Sequence, residues 1–161
     1  NEFSREHLTH HADTKYFAAN WKKALATVKV VPFIFILMSF LSGLLYGSIF
    51  TLGFLIMYFT YELIHRRIHT HAPKNFYSRF IRKHHAYHHF SNPRYNHGVT
   101  VPIWDIIFGT YKKAEIIRVP EANVMKWLLD ENGNIKSEYI KEYELIPKKA
   151  LSLSIESHIV K

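Results

Sequence analysis

Histidines are the residues of this sequence best suited to chemistry, and they fall into three short groups along the chain. The groups have the spacings H-x-x-H-H, H-x-x-x-H and H-x-x-H-H. Residues i, i+3 and i+4 of a helix share one face within about one turn, so each group predicts a helix face covered by imidazole. The eight members are His7, His10, His11, His65, His69, His85, His88 and His89. Neutral imidazoles suit iron, zinc or copper.

Eight imidazoles exceed what one metal ion binds. These residues are therefore predicted to be the ligands of two metal ions. His84 and His97 stay open between a ligand role and a supporting role. His71 points away from its neighbours on the same helix and is not expected to bind metal, and neither is His158.

Acidic residues near the three groups are predicted to support the imidazoles rather than to bind metal. Metal-bound histidines commonly donate their second ring N–H to a carboxylate or a carbonyl oxygen. The candidates for this role are Glu6, Asp13, Glu62 and Asp105.

The composition narrows the possible functions. A chain of 161 residues is long enough for one domain, and its lack of cysteine excludes disulfides, thiolate-bound haem, iron–sulfur clusters and cysteine-type zinc sites. The net charge of +8 does not come from one uninterrupted basic run. Anionic lipid headgroups are therefore the expected partner of the basic residues, and a nucleic acid is not.

A stretch without charge, residues 30–61, separates the first histidine group from the second. About 20 residues cross a bilayer core, so its 32 residues are too many for one upright span and slightly few for two. Because Ser42-Gly43 and Tyr46-Gly47-Ser48 interrupt it, we predict a helical hairpin of residues 22–69, with helices at about 22–41 and 48–69. The alternative is a buried hairpin of a large soluble protein.

The charges on either side of this stretch predict its orientation. Basic residues precede it and follow it, whereas the proposed turn has none. By the positive-inside rule both ends of the hairpin face the cytoplasm. A single tilted span would instead leave the first histidine group across the bilayer from the other two, and no shared site could form.

The remaining segments complete an all-α prediction, an integral-membrane helical hairpin with a cytoplasmic, histidine-rich helical cap. Pro73 ends the second helix and Asn75 caps a third, at about residues 76–90. Gly109 indicates the end of a short helix, and Gly133 belongs to a tight turn. We predict a membrane domain over residues 1–118 and a C-terminal tail over residues 119–161.

At these residues the chain resembles the fatty acid hydroxylase/sterol desaturase superfamily of integral-membrane di-iron enzymes. The resemblance runs from about Ser4 to Lys113 and includes the three histidine groups, the hairpin between the first two, and two later motifs. These motifs are Asn96-His-Gly-Val-Thr and Trp104-Asp-Ile-Ile-Phe-Gly-Thr110. The layout is similar to that of bacterial members related to sphingolipid fatty acid 2-hydroxylases.

The resemblance implies two iron ions held by the eight histidines on the cytoplasmic side, with zinc as a possible substitute. Molecular oxygen would be the co-substrate, and a lipid acyl chain would be hydroxylated at an unactivated C–H bond. Electrons would come from a donor protein, namely a b-type cytochrome, a ferredoxin or a reductase. Members of the superfamily also carry an earlier histidine pair on an upstream hairpin, so we expect this chain alone to bind metal incompletely and to have little activity.

Three other functions compete with lipid hydroxylation. A lipid or sterol desaturase of the same superfamily would use the same ligands. A non-enzymatic membrane protein that handles or transports metal would place ionisable ligands within its spans, but residues 30–61 contain no His, Asp or Glu. A structural zinc site would need only four ligands, which is fewer than the eight histidines of the three groups.

Overall fold

The computed structural model describes residues 2–147. These residues are mostly helical, as predicted, and they form two compact units: residues 17–64 are one, and residues 2–16 with 65–147 are the other. The helices are α1 (Glu2–Ala12), α2 (Asn20–Ser42), α3 (Leu44–Thr70), α4 (Phe76–Phe90) and α5 (Ile103–Ile107). His158 lies outside the described residues.

Helices α2 and α3 form the predicted hairpin, with a tighter turn than expected. Gly43 alone connects them, with a φ of 85° that favours glycine. The prediction began the second helix about four residues too late, because hydroxyl residues were read as turn residues. The Ser48 hydroxyl instead donates to the carbonyl oxygen of Leu44 one turn earlier (2.7 Å), so the helix continues through it.

Both helices of the hairpin are long and apolar enough to cross a membrane. The Lys23 ammonium pairs with the Glu62 carboxylate, which lies near the other end of the hairpin. The chain therefore doubles back within the unit formed by residues 17–64, as the charge pattern predicted.

Gly47 lies where the two helices approach each other closely. A Cβ atom built there would lie 2.5 Å from the backbone nitrogen of Ser39 and 2.6 Å from its Cα atom. Gly53, on the same helix, would meet no atom within 4 Å. A methyl group added at Gly47 would therefore clash with Ser39, whereas one added at Gly53 would not.

We expect Gly47→Ala to destabilise the hairpin, whereas Gly53→Ala should be neutral or slightly stabilising. Crowding the Ser39 backbone costs about 1–3 kcal/mol, against a gain of roughly 0.5–1 kcal/mol from removing a helical glycine. Thermal denaturation in detergent micelles, followed by circular dichroism, measures the difference. Equal melting temperatures for the two variants would show that the helices do not meet at Gly47.

The second unit contains α4, whose observed bounds agree with the prediction. Asn75 caps the helix: its side-chain oxygen accepts the Ser78 backbone N–H at 2.8 Å, and the Ser78 hydroxyl accepts the Asn75 N–H at 2.9 Å. This reciprocal pair satisfies backbone donors that the first turn would otherwise leave free. Gly109 has a φ of 70° just after α5, as expected for a glycine at a helix end.

The C-terminal segment has more structure than its mixed composition indicated. Strands β1 (Ile117–Pro120) and β2 (Tyr143–Ile146) form a parallel pair, and two short 3-10 helices lie between them. The predicted tight turn is present at Gly133. The core packs the segment against α4 through Ala86, Ile117, Val119, Met125, Trp127, Leu128, Tyr139 and Tyr143. The boundary at residue 118 stays a prediction.

Candidate metal centre

Helices α1, α3 and α4 bring all eight predicted ligands together within one compact unit. In each of two groups, the ligand atoms lie within 4.8 Å of one another. The five-histidine group consists of His10, His65, His69, His85 and His89. The three-histidine group consists of His7, His11 and His88. Each group contains histidines from more than one helix, so each group forms only where these helices pack against one another.

The five-histidine group has Nε2 atoms at a spacing that suits one metal ion. His10 Nε2 lies 3.0 Å from His65 Nε2 and 3.2 Å from His69 Nε2. His85 Nε2 lies 3.1 Å from His69 Nε2 and 3.0 Å from His89 Nε2. Two nitrogens bound to one ion at about 2.1 Å in neighbouring coordination positions are roughly 3 Å apart. The donor set is nitrogen throughout, which fits iron or zinc.

The three-histidine group is more open to solvent. His7 is exposed, His11 is half-buried and His88 is buried. The Nε2 atoms of His7 and His11 are 3.1 Å apart, and the His88 ring lies 4.8 Å from the His11 ring. The His97 ring lies 5.0 Å from that of His88, although His97 belongs to neither group.

Backbone carbonyls orient one imidazole in each group. His10 Nδ1 donates to the carbonyl oxygen of Tyr16 at 2.8 Å, and His88 Nδ1 donates to that of Tyr95 at 2.9 Å. A carbonyl oxygen can only accept, so the proton must be on Nδ1, and Nε2 carries the lone pair that could bind a metal. The Tyr16 hydroxyl in turn donates to Glu6.

The packing keeps these imidazoles neutral, which is the form that binds metal. Burial, followed by the neighbouring imidazoles, holds the pKa of His85 and of His89 well below the usual value for histidine. Burial and the adjacent His88 lower the pKa of His11 to about 4. The buried Nδ1 atoms of His85 and His89 have no hydrogen-bond partner among the described residues. A bound cation would compensate for crowding lone pairs together.

We expect the stability of the metal-free fold to decrease below about pH 6.5, the ordinary pKa of histidine. Because the folded pKa values are depressed, the unfolded chain binds more protons between the two pKa values, so stability is present above pH 6.5 and is lost as the pH falls towards 4. Chemical denaturation of chelator-treated protein between pH 5 and 8 measures the effect. A pH-independent midpoint would contradict neutral, crowded imidazoles.

Asp105 supports the centre indirectly, through His84. The His84 Nε2 atom is 3.0 Å from an Asp105 carboxylate oxygen, and both side chains are buried. The same carboxylate accepts the backbone N–H groups of His97 and Gly98 at 2.8 Å each and the Thr110 hydroxyl at 2.7 Å. Burial alone would raise the pKa of Asp105, but these hydrogen bonds outweigh it and lower the pKa to about 2.

The other predicted supporting carboxylates make different contacts. Glu62 pairs with Lys23, and Asp13 accepts the backbone N–H of Lys15 at 2.9 Å. His84 is in neither metal group, and neither is the exposed His71, whose ring lies 2.7 Å from the Thr70 hydroxyl oxygen. Of the residues left open by the sequence, His84 therefore contacts a carboxylate and His97 lies beside His88.

Two residues that sequence analysis missed hold the C-terminal end of α3, where His69 lies. The buried Arg82 guanidinium donates to the carbonyl oxygens of Arg67 (3.0 Å) and His71 (2.9 Å). Trp127 Nε1 donates to that of Ile68 at 3.0 Å. The available signal was the position of Arg82 three residues before His85 on the same face of α4, since a cation there needs buried acceptors.

The C-terminal segment also holds the end of α1. The Thr14 hydroxyl donates to the Asn123 carbonyl oxygen at 2.8 Å, and the Asn123 amide donates to the Ala12 carbonyl oxygen at 3.1 Å. Residues 117–146 therefore fix α1, α3 and α4 relative to one another, and with them the histidines.

The comparison with known families identifies the class. The chain belongs to the fatty acid hydroxylase family, whose model matches residues 2–110. The chain is also similar to a dihydroceramide fatty acyl 2-hydroxylase of Arabidopsis thaliana, with 34% identity over 58 residues. That match covers 36% of this chain and 24% of the relative, so the chain corresponds to only part of the relative's length. No solved structure matches.

Family membership confirms the resemblance drawn from the histidine motifs. Together with the two apolar helices, it places the protein in a membrane. Both histidine groups that could hold metal lie within the residues that match this family.

Proposed function

We propose that the protein is an oxygen-dependent lipid hydroxylase that acts on an unactivated C–H bond of a fatty acyl chain. The observation that carries the proposal is the convergence of eight imidazoles into two groups in a member of the fatty acid hydroxylase family. Helix α3 supports a lipid substrate, because it is apolar over most of its length and carries His65 and His69 in its last turns.

Two iron ions are the proposed cofactors, one in each histidine group, and zinc could substitute for them structurally. Bound iron would supply the one-electron chemistry with molecular oxygen that replaces a C–H hydrogen by a hydroxyl group. The eight histidines would hold these metals and so form the catalytic centre. Tyr16 and Tyr95 fix the orientation of His10 and His88 through their carbonyl oxygens.

The two groups would contribute differently. Burial of His85 and His69 excludes water from the five-histidine group, which favours a tightly held metal. The three-histidine group has an exposed member, His7, and fewer donors. It therefore leaves coordination positions for further ligands and for small reactants.

The partners follow from the same chemistry. Hydroxylation by molecular oxygen consumes two electrons, so an electron-donor protein is required: a b-type cytochrome, a ferredoxin or a reductase. Basic residues flank both ends of the apolar stretch, which supports a cytoplasmic location for the histidine centre. A lipid acyl chain in the bilayer is the substrate.

A desaturase of the same superfamily is the second candidate function, since loss of a second hydrogen gives an alkene at the same metals. Metal transport is a candidate from a different class. Residues 30–61 contain no charged or histidine side chain, and this disfavours a transport path through the hairpin.

The test is isotope incorporation with cells that express the intact gene and are supplied with ¹⁸O₂. Mass spectrometry of their lipids should show hydroxylated acyl chains carrying one ¹⁸O atom, absent when His88 is replaced by alanine. New double bonds without ¹⁸O would identify a desaturase. Zinc uptake without oxygen consumption or lipid oxidation would overturn the oxygenase.

A further inference from the structure

Helix α5 has an inverted distribution of polar and apolar residues. Its one charged residue, Asp105, is 2% exposed, whereas its apolar residues and the residue that follows are 52–72% exposed. We call these exposed residues the α5 apolar face: Ile103, Trp104, Ile106, Ile107 and Phe108. Single exposed apolar side chains are common on proteins, but a continuous set of them marks an interaction surface.

Neighbouring residues extend this face. The rings of Trp104 and Phe108 are stacked with their centroids 6.1 Å apart. The Tyr77 hydroxyl donates to the carbonyl oxygen of Thr100, so the start of α4 lies against the segment that leads into α5. Phe76 is 87% exposed, and Val101 is also exposed. Within residues 2–147, the patch therefore involves two chain segments.

The fold holds this face rigidly. Asp105 accepts four hydrogen bonds, from His84, His97, Gly98 and Thr110, so the polar side of α5 is fixed inward. Rotating α5 to hide its apolar side chains would break all four, each made to a charged acceptor. The exposure of the apolar side chains is therefore a consequence of the buried network.

We propose that the α5 apolar face inserts into the interfacial layer of a lipid bilayer. Trp, Phe and Ile side chains beside basic residues are the composition of segments that lie in the headgroup and upper acyl region. Lys74, Lys112 and Lys113 follow or precede the patch in sequence and are exposed, which complements anionic headgroups. Protein–protein interfaces are instead depleted in lysine.

The course of the chain also favours lipid as the occupant. The α5 apolar face belongs to the unit whose second chain segment starts at His65, within α3. The earlier part of this helix is a candidate membrane span. The chain of that unit is therefore directly continuous with a candidate membrane span. The α5 apolar face gives it a second attachment, independent of the hairpin.

Fluorescence quenching in nanodiscs tests the proposal, and the absence of native cysteine makes single labels simple. Ile107→Cys and Phe108→Cys each receive an environment-sensitive fluorophore, in discs of phosphatidylcholine and phosphatidylglycerol. Ile140→Cys is the matched control, because Ile140 is 58% exposed and Ile107 59% exposed in the same unit. Quenchers are a lipid with a nitroxide in its upper acyl chain and aqueous iodide.

Labels at residues 107 and 108 should be quenched by the nitroxide lipid and protected from iodide. For a depth of 5–10 Å, we expect the ratio of lipid to iodide quenching to exceed that at residue 140 by about tenfold. A ratio equal to that at residue 140 would place the face in water and overturn the proposal. Protection from both quenchers would also overturn it, since protein would then cover the face.

Discussion

Replacing His85 by alanine is expected to remove metal from the five-histidine group and to abolish lipid hydroxylation. The His85 Nε2 atom lies 3.1 Å from that of His69 and 3.0 Å from that of His89, so the side chain links α3 to α4 within this group. Removing a residue that only supports a ligand commonly lowers metal affinity about 10–100-fold, and removing a ligand should cost more.

The test is metal analysis of the protein purified from cells that express the intact gene, together with product analysis of the lipids of those cells. His71→Ala is the matched control, because His71 lies on the same histidine-rich stretch but is exposed and belongs to neither group. It should retain metal and product at the wild-type level. Undiminished iron in His85→Ala, with the helical content of both variants unchanged, would remove His85 from the ligand set.

Replacing Asp105 by alanine should destabilise the histidine-bearing unit by about 2–4 kcal/mol, the usual cost of leaving buried donors of a charged network unpaired. Its carboxylate accepts hydrogen bonds from His84, Thr110 and the backbone of the loop at residues 97–98. The loop should then loosen beside His88, and metal affinity of the three-histidine group should fall.

Denaturant titration in detergent micelles measures the loss of stability, with two comparisons. Asp105→Asn keeps one acceptor oxygen and should lose less than Asp105→Ala. Asp13→Ala removes an exposed carboxylate that accepts one backbone N–H and should cost less than about 1 kcal/mol. Equal losses for Asp13→Ala and Asp105→Ala would show that the buried network contributes nothing.

The helices that bear the histidines could be predicted from sequence because their signals are local. The spacing of His85, His88 and His89 defines one face of a helix, and the capping residue Asn75 indicates its start. The hairpin follows from a charge-free run interrupted at Gly43. These features depend on residues that are close to each other in the sequence.

The division of the ligands into groups of five and three could not be predicted in this way. It depends on the way in which α1, α3 and α4 pack, which places His10 beside His65 and His69 but His11 beside His88. Neighbouring residues of one helix thus enter different groups. No spacing within a single helix contains that information.

The contribution of the C-terminal segment was also beyond sequence reasoning. Trp127 meets the end of α3 across 59 residues of chain, and Thr14 meets Asn123 across 109. The residues that make these contacts belong to no recognisable sequence motif. Only the position of Arg82, three residues before His85 on the same face of α4, hinted that a buried cation there needed acceptors.

X-ray absorption at the iron edge of iron-loaded protein tests most directly whether imidazoles from distant parts of the chain surround the metal. The structure predicts that the nearest neighbours of the iron are mostly nitrogen atoms, at roughly 2.1 Å. Several imidazole rings should add scattering from more distant atoms, and this scattering should weaken in His85→Ala. A shell of oxygen ligands without imidazole scattering, unchanged by His85→Ala, would contradict a metal centre built from these histidines.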